Sequence, residues 1–257
     1  MILGMKPVIA VRDLHFRYED GTPALAGVDF DLFPGETVAL FGANGSGKTT
    51  FVLHLNGLLE GRGGIEVCGL TLKKDTLKHV RQKIGIVFQD PDDQLFMPSV
   101  IEDVAFGPLN LGASPEEAEA RARVSLDRVG MAGSENKAPY HLSAGEKKRV
   151  AIAGVLAMEP EVLVLDEPTT FLDPPGQRVL TALLRELPQS KLIVTHDPEF
   201  ARTLASRAVF FEKGRIAGEG PTERVIEQFQ WSQQEYRSRH RAESPEPSGN
   251  AVLPLDT

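Results

Sequence analysis

Gly42-Ala43-Asn44-Gly45-Ser46-Gly47-Lys48-Thr49 is the stretch on which the fold of this chain turns. It has the form G-x-x-x-x-G-K-[ST]. It follows the apolar run Val38-Ala39-Leu40-Phe41, which predicts a strand, and precedes a predicted helix from Thr50 to Leu59. In that setting the glycines let backbone N–H groups turn inward around phosphate oxygens, and the helix N-terminus adds positive potential. Lys48 is expected to reach the β- and γ-phosphates of a nucleotide, and the Thr49 hydroxyl to ligate Mg²⁺. By itself the loop specifies phosphate binding, a property that kinases, GTPases and transport ATPases share.

Outward from the loop, Ile84-Gly85-Ile86-Val87-Phe88, Val162-Leu163-Val164-Leu165 and Leu192-Ile193-Val194-Thr195 are further short apolar runs set between helical patterns. Such runs predict parallel strands buried on both faces, hence an α/β core. Ahead of the loop, Val8 to Phe16 and then Val28, Phe30 and Leu32 alternate as half-buried antiparallel strands do. Strand signals vanish between Asp90 and Pro160. There Ser114-Pro115-Glu116-Glu117 supplies a cap, a proline at the first helical position and an acidic third residue before a helical run reaching Val129. A helical subdomain at about 90–160 is therefore expected. After Pro174, the set Val179, Leu180, Leu183, Leu184 and Leu187 is predicted to share one face of a crossover helix. No internal repeat is visible, so one nucleotide-binding unit is expected.

Val162 to Leu165 ends in Asp166-Glu167, and the carboxyl ends of such strands are where α/β sheets bind ligands. Asp166 is placed to hold Mg²⁺ through water, and Glu167 to polarise the water that attacks the γ-phosphate. His196 follows the strand of Leu192 to Thr195 at the same edge, where its imidazole can meet the γ-phosphate or that water. No His or Cys pair has metal-ligand spacing. His141-Leu142-Ser143-Ala144-Gly145-Glu146 opens the helical run of Lys147 to Met158, with capping-box spacing between Ser143 and Glu146.

The 257 residues suffice for a large core, and 41% hydrophobic with 25% charged residues is an ordinary globular balance. The single cysteine excludes an intrachain disulfide, and Cys68 after Ile65-Glu66-Val67 reads as a small buried hydrophobe in a strand. No run approaches the ~18 apolar residues a membrane helix needs. The N-terminus shows no secretory pattern, and the chain reads as cytoplasmic. A net charge of -8 gives no broad basic footprint, so nucleic acid is not the expected partner. Guanine specificity is unsupported, because the nearest string to Asn-Lys-x-Asp, Asn136-Lys137-Ala138-Pro139, has proline in the deciding position. A C-terminal helix is expected over 223–236, and the Ser-, Pro- and Glu-rich tail over 237–257 is expected to be disordered.

Taken together, the phosphate loop, the Ser143 segment and the Asp-Glu strand end resemble the ATP-binding subunits of ABC transporters over residues 7–222. The resemblance implies an α/β fold, a P-loop NTPase core with a mixed central sheet, an N-terminal antiparallel β-subdomain and an inserted α-helical subdomain. It implies ATP and Mg²⁺ as ligands. Tyr18 falls where an aromatic ring stacks on adenine, with Gly42, Ala43, Asn44, Gly45, Ser46, Gly47, Lys48, Thr49 and Thr50 as the rest of the nucleotide-binding set. Gln89 matches the glutamine that senses Mg²⁺ and the transmembrane partner, Asp173 the D-loop, and His196 the switch histidine. Glu167, His196 and Gln89 form the implied catalytic set; Thr49, Gln89 and Asp166 the Mg²⁺ set.

The family further implies a head-to-tail dimer, with itself or with a second ABC ATPase. In it Ser143, Ala144, Gly145 and Glu146 of one subunit close over the ATP of the other. Two residues depart from the family signature. Ala144 stands for a glycine, where a methyl crowds the phosphate if the backbone needs glycine-only angles, and Glu146 stands for glutamine. Val87-Phe88-Gln89-Asp90-Pro91-Asp92-Asp93-Gln94-Leu95-Phe96 is similar to the ATPases of energy-coupling-factor importers, and Thr169-Thr170-Phe171-Leu172-Asp173-Pro174-Pro175-Gly176 to their cobalt and nickel branch. Such ATPases sit on the cytoplasmic face of the membrane with a transmembrane T component and a substrate-binding membrane subunit. Asp90, Asp92 and Asp93 suit arginine-bearing coupling helices of that T component. A vitamin importer of the same type, or a soluble ABC ATPase acting on ribosomes or DNA, are the alternatives.

Overall fold

Residues 5–231 are described in the computed structural model. β1 (Ile9–Arg17) and β2 (Pro23–Leu32) pair antiparallel, and β3 (Thr37–Gly42) leads into the phosphate loop. α1 (Lys48–Leu55) follows, then β4 (Arg62–Val67), β5 (Leu70–Thr71), α2 (Leu77–Lys83) and β6 (Ile84–Val87). The helical insertion comprises α3 (Val100–Leu111), α4 (Pro115–Arg128) and α5 (Ala144–Leu156). Next come β7 (Val162–Asp166), α6 (Pro174–Glu186), β8 (Ser190–Val194) and α7 (Pro198–Leu204). β9 (Arg207–Glu212), β10 (Arg215–Pro221) and α8 (Thr222–Gln228) complete the described chain.

Two sheets form. The smaller has the order β2-β1-β4-β5 and is antiparallel; the larger has the order β10-β9-β3-β8-β7-β6. In the larger sheet the pairs β6/β7, β7/β8, β8/β3 and β3/β9 are parallel and β10 is antiparallel, so the sheet is mixed.

Alternation along single strands separates the cores. Val38 and Leu40 of β3, with Val162 and Val164 of β7, join the cluster between the two sheets, where Phe51 and Leu55 of α1 are also buried. Ala39 and Phe41 face the opposite way onto α7, α8 and β9. Leu163 and Leu165 of β7 face the helical insertion. With both faces covered, the strands read as unbroken apolar runs.

Several expectations shift. The helix expected from Thr50 to Leu59 begins at Lys48 and ends at Leu55, because Gly57 turns the chain away at φ +67. Cys68 is not in a strand. It is half-buried in the turn after β4 at φ +49, and burial, with Glu161 beside it, pushes its thiol up to about 12. Val179 lies 51% exposed while Leu180, Leu183, Leu184 and Leu187 are buried, so the face of α6 is narrower than expected. The helix expected over 223–236 runs from Thr222 to Gln228, and Gln230 then reverses the chain at φ +49. Residues 232–236 of that stretch, and the tail at 237–257, lie outside the described residues.

Candidate nucleotide site

The phosphate loop is shaped by contacts that exclude side chains. A Cβ on Gly47, at φ +108, would lie 2.5 Å from the Ala24 carbonyl oxygen of β2. One on Gly42, at φ +144, would collide with the Phe211 carbonyl of β9. Gly47 is also the N-cap of α1 and offers no side-chain bond to it, so the first N–H groups of that helix stay available to an anion. The Lys48 ammonium is buried and donates to the carbonyls of Gly42 (2.7 Å) and Ala43 (3.0 Å). Burial lowers its pKa against the pull of Glu167 and Asp166.

A cleft of about 420 Å³ opens here, lined by Asn44, Lys48, Thr49, Gln89, Asp166, Glu167 and His196 among others. Topology makes it: β3, β7 and β8 are adjacent and parallel, so the loop after β3, the carboxylates ending β7 and the histidine after β8 share one sheet edge. The Thr49 hydroxyl donates to Asp166 Oδ2 at 3.3 Å. Burial raises the Asp166 pKa and the neighbouring Glu167 charge raises it further. Glu167 stands at φ +44, and its Oε2 accepts from the backbone N–H of His196 at 3.2 Å. His196 Nε2 lies 2.9 Å from Glu167 Oε1, at ion-pair distance but off the line of a hydrogen bond. The Asp166 carboxylate beside the Thr49 hydroxyl, with the Gln89 amide on the same cleft, forms the hard-oxygen donor set that suits Mg²⁺.

Tyr18 is 43% exposed, and its hydroxyl is 2.7 Å from the Thr50 hydroxyl at the first turn of α1. Thr50 is thereby turned to Tyr18 and does not line the cleft. Gln89 lines it from the segment after β6. Of the acidic trio, Asp92 pairs with Lys147 at 2.6 Å and Asp90 accepts from the Asp92 N–H at 2.9 Å, while Asp93 is exposed.

Ser143 to Glu146 lie elsewhere. With Phe171, Leu172 and Asp173 they line a second cleft of about 390 Å³. Ser143 caps α5, with a reciprocal capping box: its Oγ accepts from the Glu146 N–H, and Glu146 Oε2 accepts from the Ser143 N–H (2.9 Å) and hydroxyl (2.8 Å). None of Ser143, Ala144, Gly145 and Glu146 has positive φ, so the alanine meets no glycine-only geometry. Asp173 caps α6 by accepting from the Gly176 N–H at 2.8 Å.

Lys148 escaped the sequence reading. Its buried ammonium donates to the carbonyls of Phe88 (3.2 Å) and Gln89 (2.6 Å), and burial lowers its pKa to about 8. Its place two residues after a capping box carries no hint of that bond. Gln177, on the first turns of α6, also lines the first cleft without having been singled out.

A glycine-shaped loop with free helix-end N–H groups, facing strand-end carboxylates across a cleft, places the chain among the P-loop nucleotide hydrolases. The sequence pattern of the family described as ABC transporter matches residues 25–170, and the chain belongs to that family. The energy-coupling factor transporter ATP-binding protein EcfA of Methanothermobacter thermautotrophicus is 51% identical over 83% of this chain and 70% of its own length. A solved structure of cbiO1 from Clostridium perfringens, described as part of the ABC transporter complex cbiONQ, superposes with a TM-score of 0.76. It is 36% identical and covers 93% of this chain and 99% of that one. The ATP-binding cassette MJ0796, solved as a dimer bound to ADP and Pi, gives a TM-score of 0.74 at 28% identity, over 83% of this chain and 98% of its own. The chain is an ATP-binding, ATP-hydrolysing subunit of a transporter. Among the described residues no helix is long and apolar enough to cross a membrane.

Proposed function

We propose that this chain is the motor subunit of an energy-coupling-factor importer for cobalt or nickel ions, working as one half of an ATPase pair. The observation that carries the pairing is the separation of the two clefts. The phosphate loop opens to one, and Ser143, Ala144 and Gly145 open to the other. A head-to-tail pair, of two copies or of this chain with a second ABC ATPase, brings the α5 N-terminus of one subunit to the phosphates held by its partner.

In that pair the N–H groups of the loop and α1 hold the phosphate oxygens. Lys48 leaves its loop carbonyls for the β- and γ-phosphates, and Tyr18 stacks on the adenine. Thr49 and Asp166, with Gln89, would hold Mg²⁺, which supplies charge neutralisation on the β- and γ-oxygens when bound. Glu167 accepts a proton from the attacking water, and His196, beside it, donates toward the γ-phosphate. Asp173 and the exposed Phe171 beside the second cleft face the partner subunit.

The importer reading is supported by the identity to EcfA and to cbiO1, and by the Thr169 to Gly176 string. On this reading the chain sits on the cytoplasmic face of the membrane. Asp90 and Asp93, more than the already paired Asp92, meet a basic helix of the T component. A separate membrane subunit holds the solute.

Glu167→Gln tests the mechanism. The variant is expected to bind ATP and accumulate as a closed dimer by size exclusion, while turnover falls by roughly a hundredfold or more. Wild-type turnover would remove Glu167 from this role. Co-purification from membranes, with metal and vitamin uptake measured in parallel, tests the importer. Stimulation by ribosomes or DNA but not by a T component sinks it.

A further inference from the structure

Trp231 is the single tryptophan of the chain. The end of α8 places it. With Gln230 at φ +49, the Gln230 N–H bonds to the Glu227 carbonyl (3.1 Å) and the Trp231 N–H to the Ile226 carbonyl (2.9 Å). This is the doubly bonded reversal of a Schellman turn. It carries the indole back against the large sheet, where it is 8% exposed. There its ring centroid lies 5.3 Å from Phe210, 6.3 Å from Phe41 and 5.8 Å from the imidazole of His196, whose plane is tilted by 31°. Phe41 is the residue before Gly42, and Phe210 in turn stacks on Phe229 at 4.0 Å and 3°. One side chain thus touches the strand that feeds the phosphate loop and the histidine that faces Glu167.

We propose that Trp231 is a positioning residue for ATP hydrolysis, acting by holding the ring plane of His196 against Glu167. This rests on the Glu167 and His196 roles proposed above. The ring torsion of a histidine is broad and roughly two-fold, so its Nε2 is not aimed by the backbone alone. A flat face beside the imidazole narrows that torsion. It also keeps water from one side of the His196–Glu167 contact, where a lower local dielectric strengthens their attraction.

The test compares Trp231→Phe and Trp231→Leu in the full-length chain. Both keep an apolar filler, but only phenylalanine keeps a ring face. Trp231→Leu is expected to lower kcat about tenfold with KM for ATP changed by no more than about twofold, and Trp231→Phe to recover kcat to within about threefold of wild type. In the same protein, His196→Ala is expected to alter the emission of the lone tryptophan. Equal kcat for the two variants overturns the proposal, whether both are active or both fall together with a raised KM. So does an emission spectrum indifferent to His196→Ala. If Glu167→Gln turns over normally, the hydrolytic reading fails and the positioning role with it. If Glu167→Gln is inactive while Trp231→Leu is fully active, only the positioning role fails.

Discussion

α1 and α5 both end at open clefts, and the two N-termini are finished in opposite ways. α1 starts from Gly47, which has no side chain to cap it and a left-handed backbone that leaves no space for one. α5 starts from Ser143, whose hydroxyl and backbone N–H are already engaged with Glu146. The first end has donors to spare, available to an anion. The second is satisfied within its own chain, so a phosphate arriving there competes with Glu146 for the Ser143 hydroxyl. A difference of this kind suits a site in which binding is done by one end and closure is conditional on the other.

Giving α1 the finish of α5 is the most severe way to break the contrast. Gly47→Ser adds a hydroxyl at φ +108, where backbone strain of about 1–3 kcal/mol comes on top of the collision of the new Cβ with the Ala24 carbonyl oxygen. ATP affinity, measured by calorimetry, should fall by up to about a hundredfold. Unchanged affinity would mean that the open helix end is not what holds the phosphates.

A smaller effect comes from the other end. Hydrogen bonds from the Ser143 backbone N–H, and then from its hydroxyl, hold the Glu146 carboxyl below its usual 4.5. A carboxylate depressed on folding contributes stability above its unfolded pKa and loses it as pH falls through the folded value. Glu146→Gln should therefore flatten the acid side of the urea-midpoint profile below pH 4.5. An acid limb identical to wild type would place the Ser143–Glu146 bond out of the stability balance.

The smallest change is expected from Ala144→Gly. The residue is in ordinary helical geometry, so restoring the family glycine should cost at most ~1 kcal/mol in thermal unfolding and leave turnover nearly unchanged. A several-fold gain in turnover would show instead that the methyl crowds the closed pair.

What the sequence disclosed depended on how local the cause was. The phosphate loop, the Asp166-Glu167 strand end and the Ser114 and Ser143 caps are chemistry within a few residues, and each was legible. The parallel strands were legible because burial on both faces leaves no polar alternation. Cys68 was misplaced because its run looked like a strand continuing, whereas Cys68 and Gly69, both at positive φ, turn the chain back from β4 into β5; the glycine that follows it was the available signal. Val179 fell outside the buried face because periodicity cannot say how wide a face its neighbours cover. Trp231 fell inside the helix expected over 223–236 and was not singled out, since its partners Phe41, Phe210 and His196 are brought to it only by the order of strands in the larger sheet.

Lys147 and Lys148 add something that neither cleft shows alone. One grips Asp92 and the other the carbonyls of Phe88 and Gln89, from adjacent positions on the first turns of α5. Residues 88–93 and the Ser143 end of that helix are therefore tied at two points, an exposed ion pair and a buried ammonium shared by two carbonyls, and it is the Lys148 tie that solvent does not loosen.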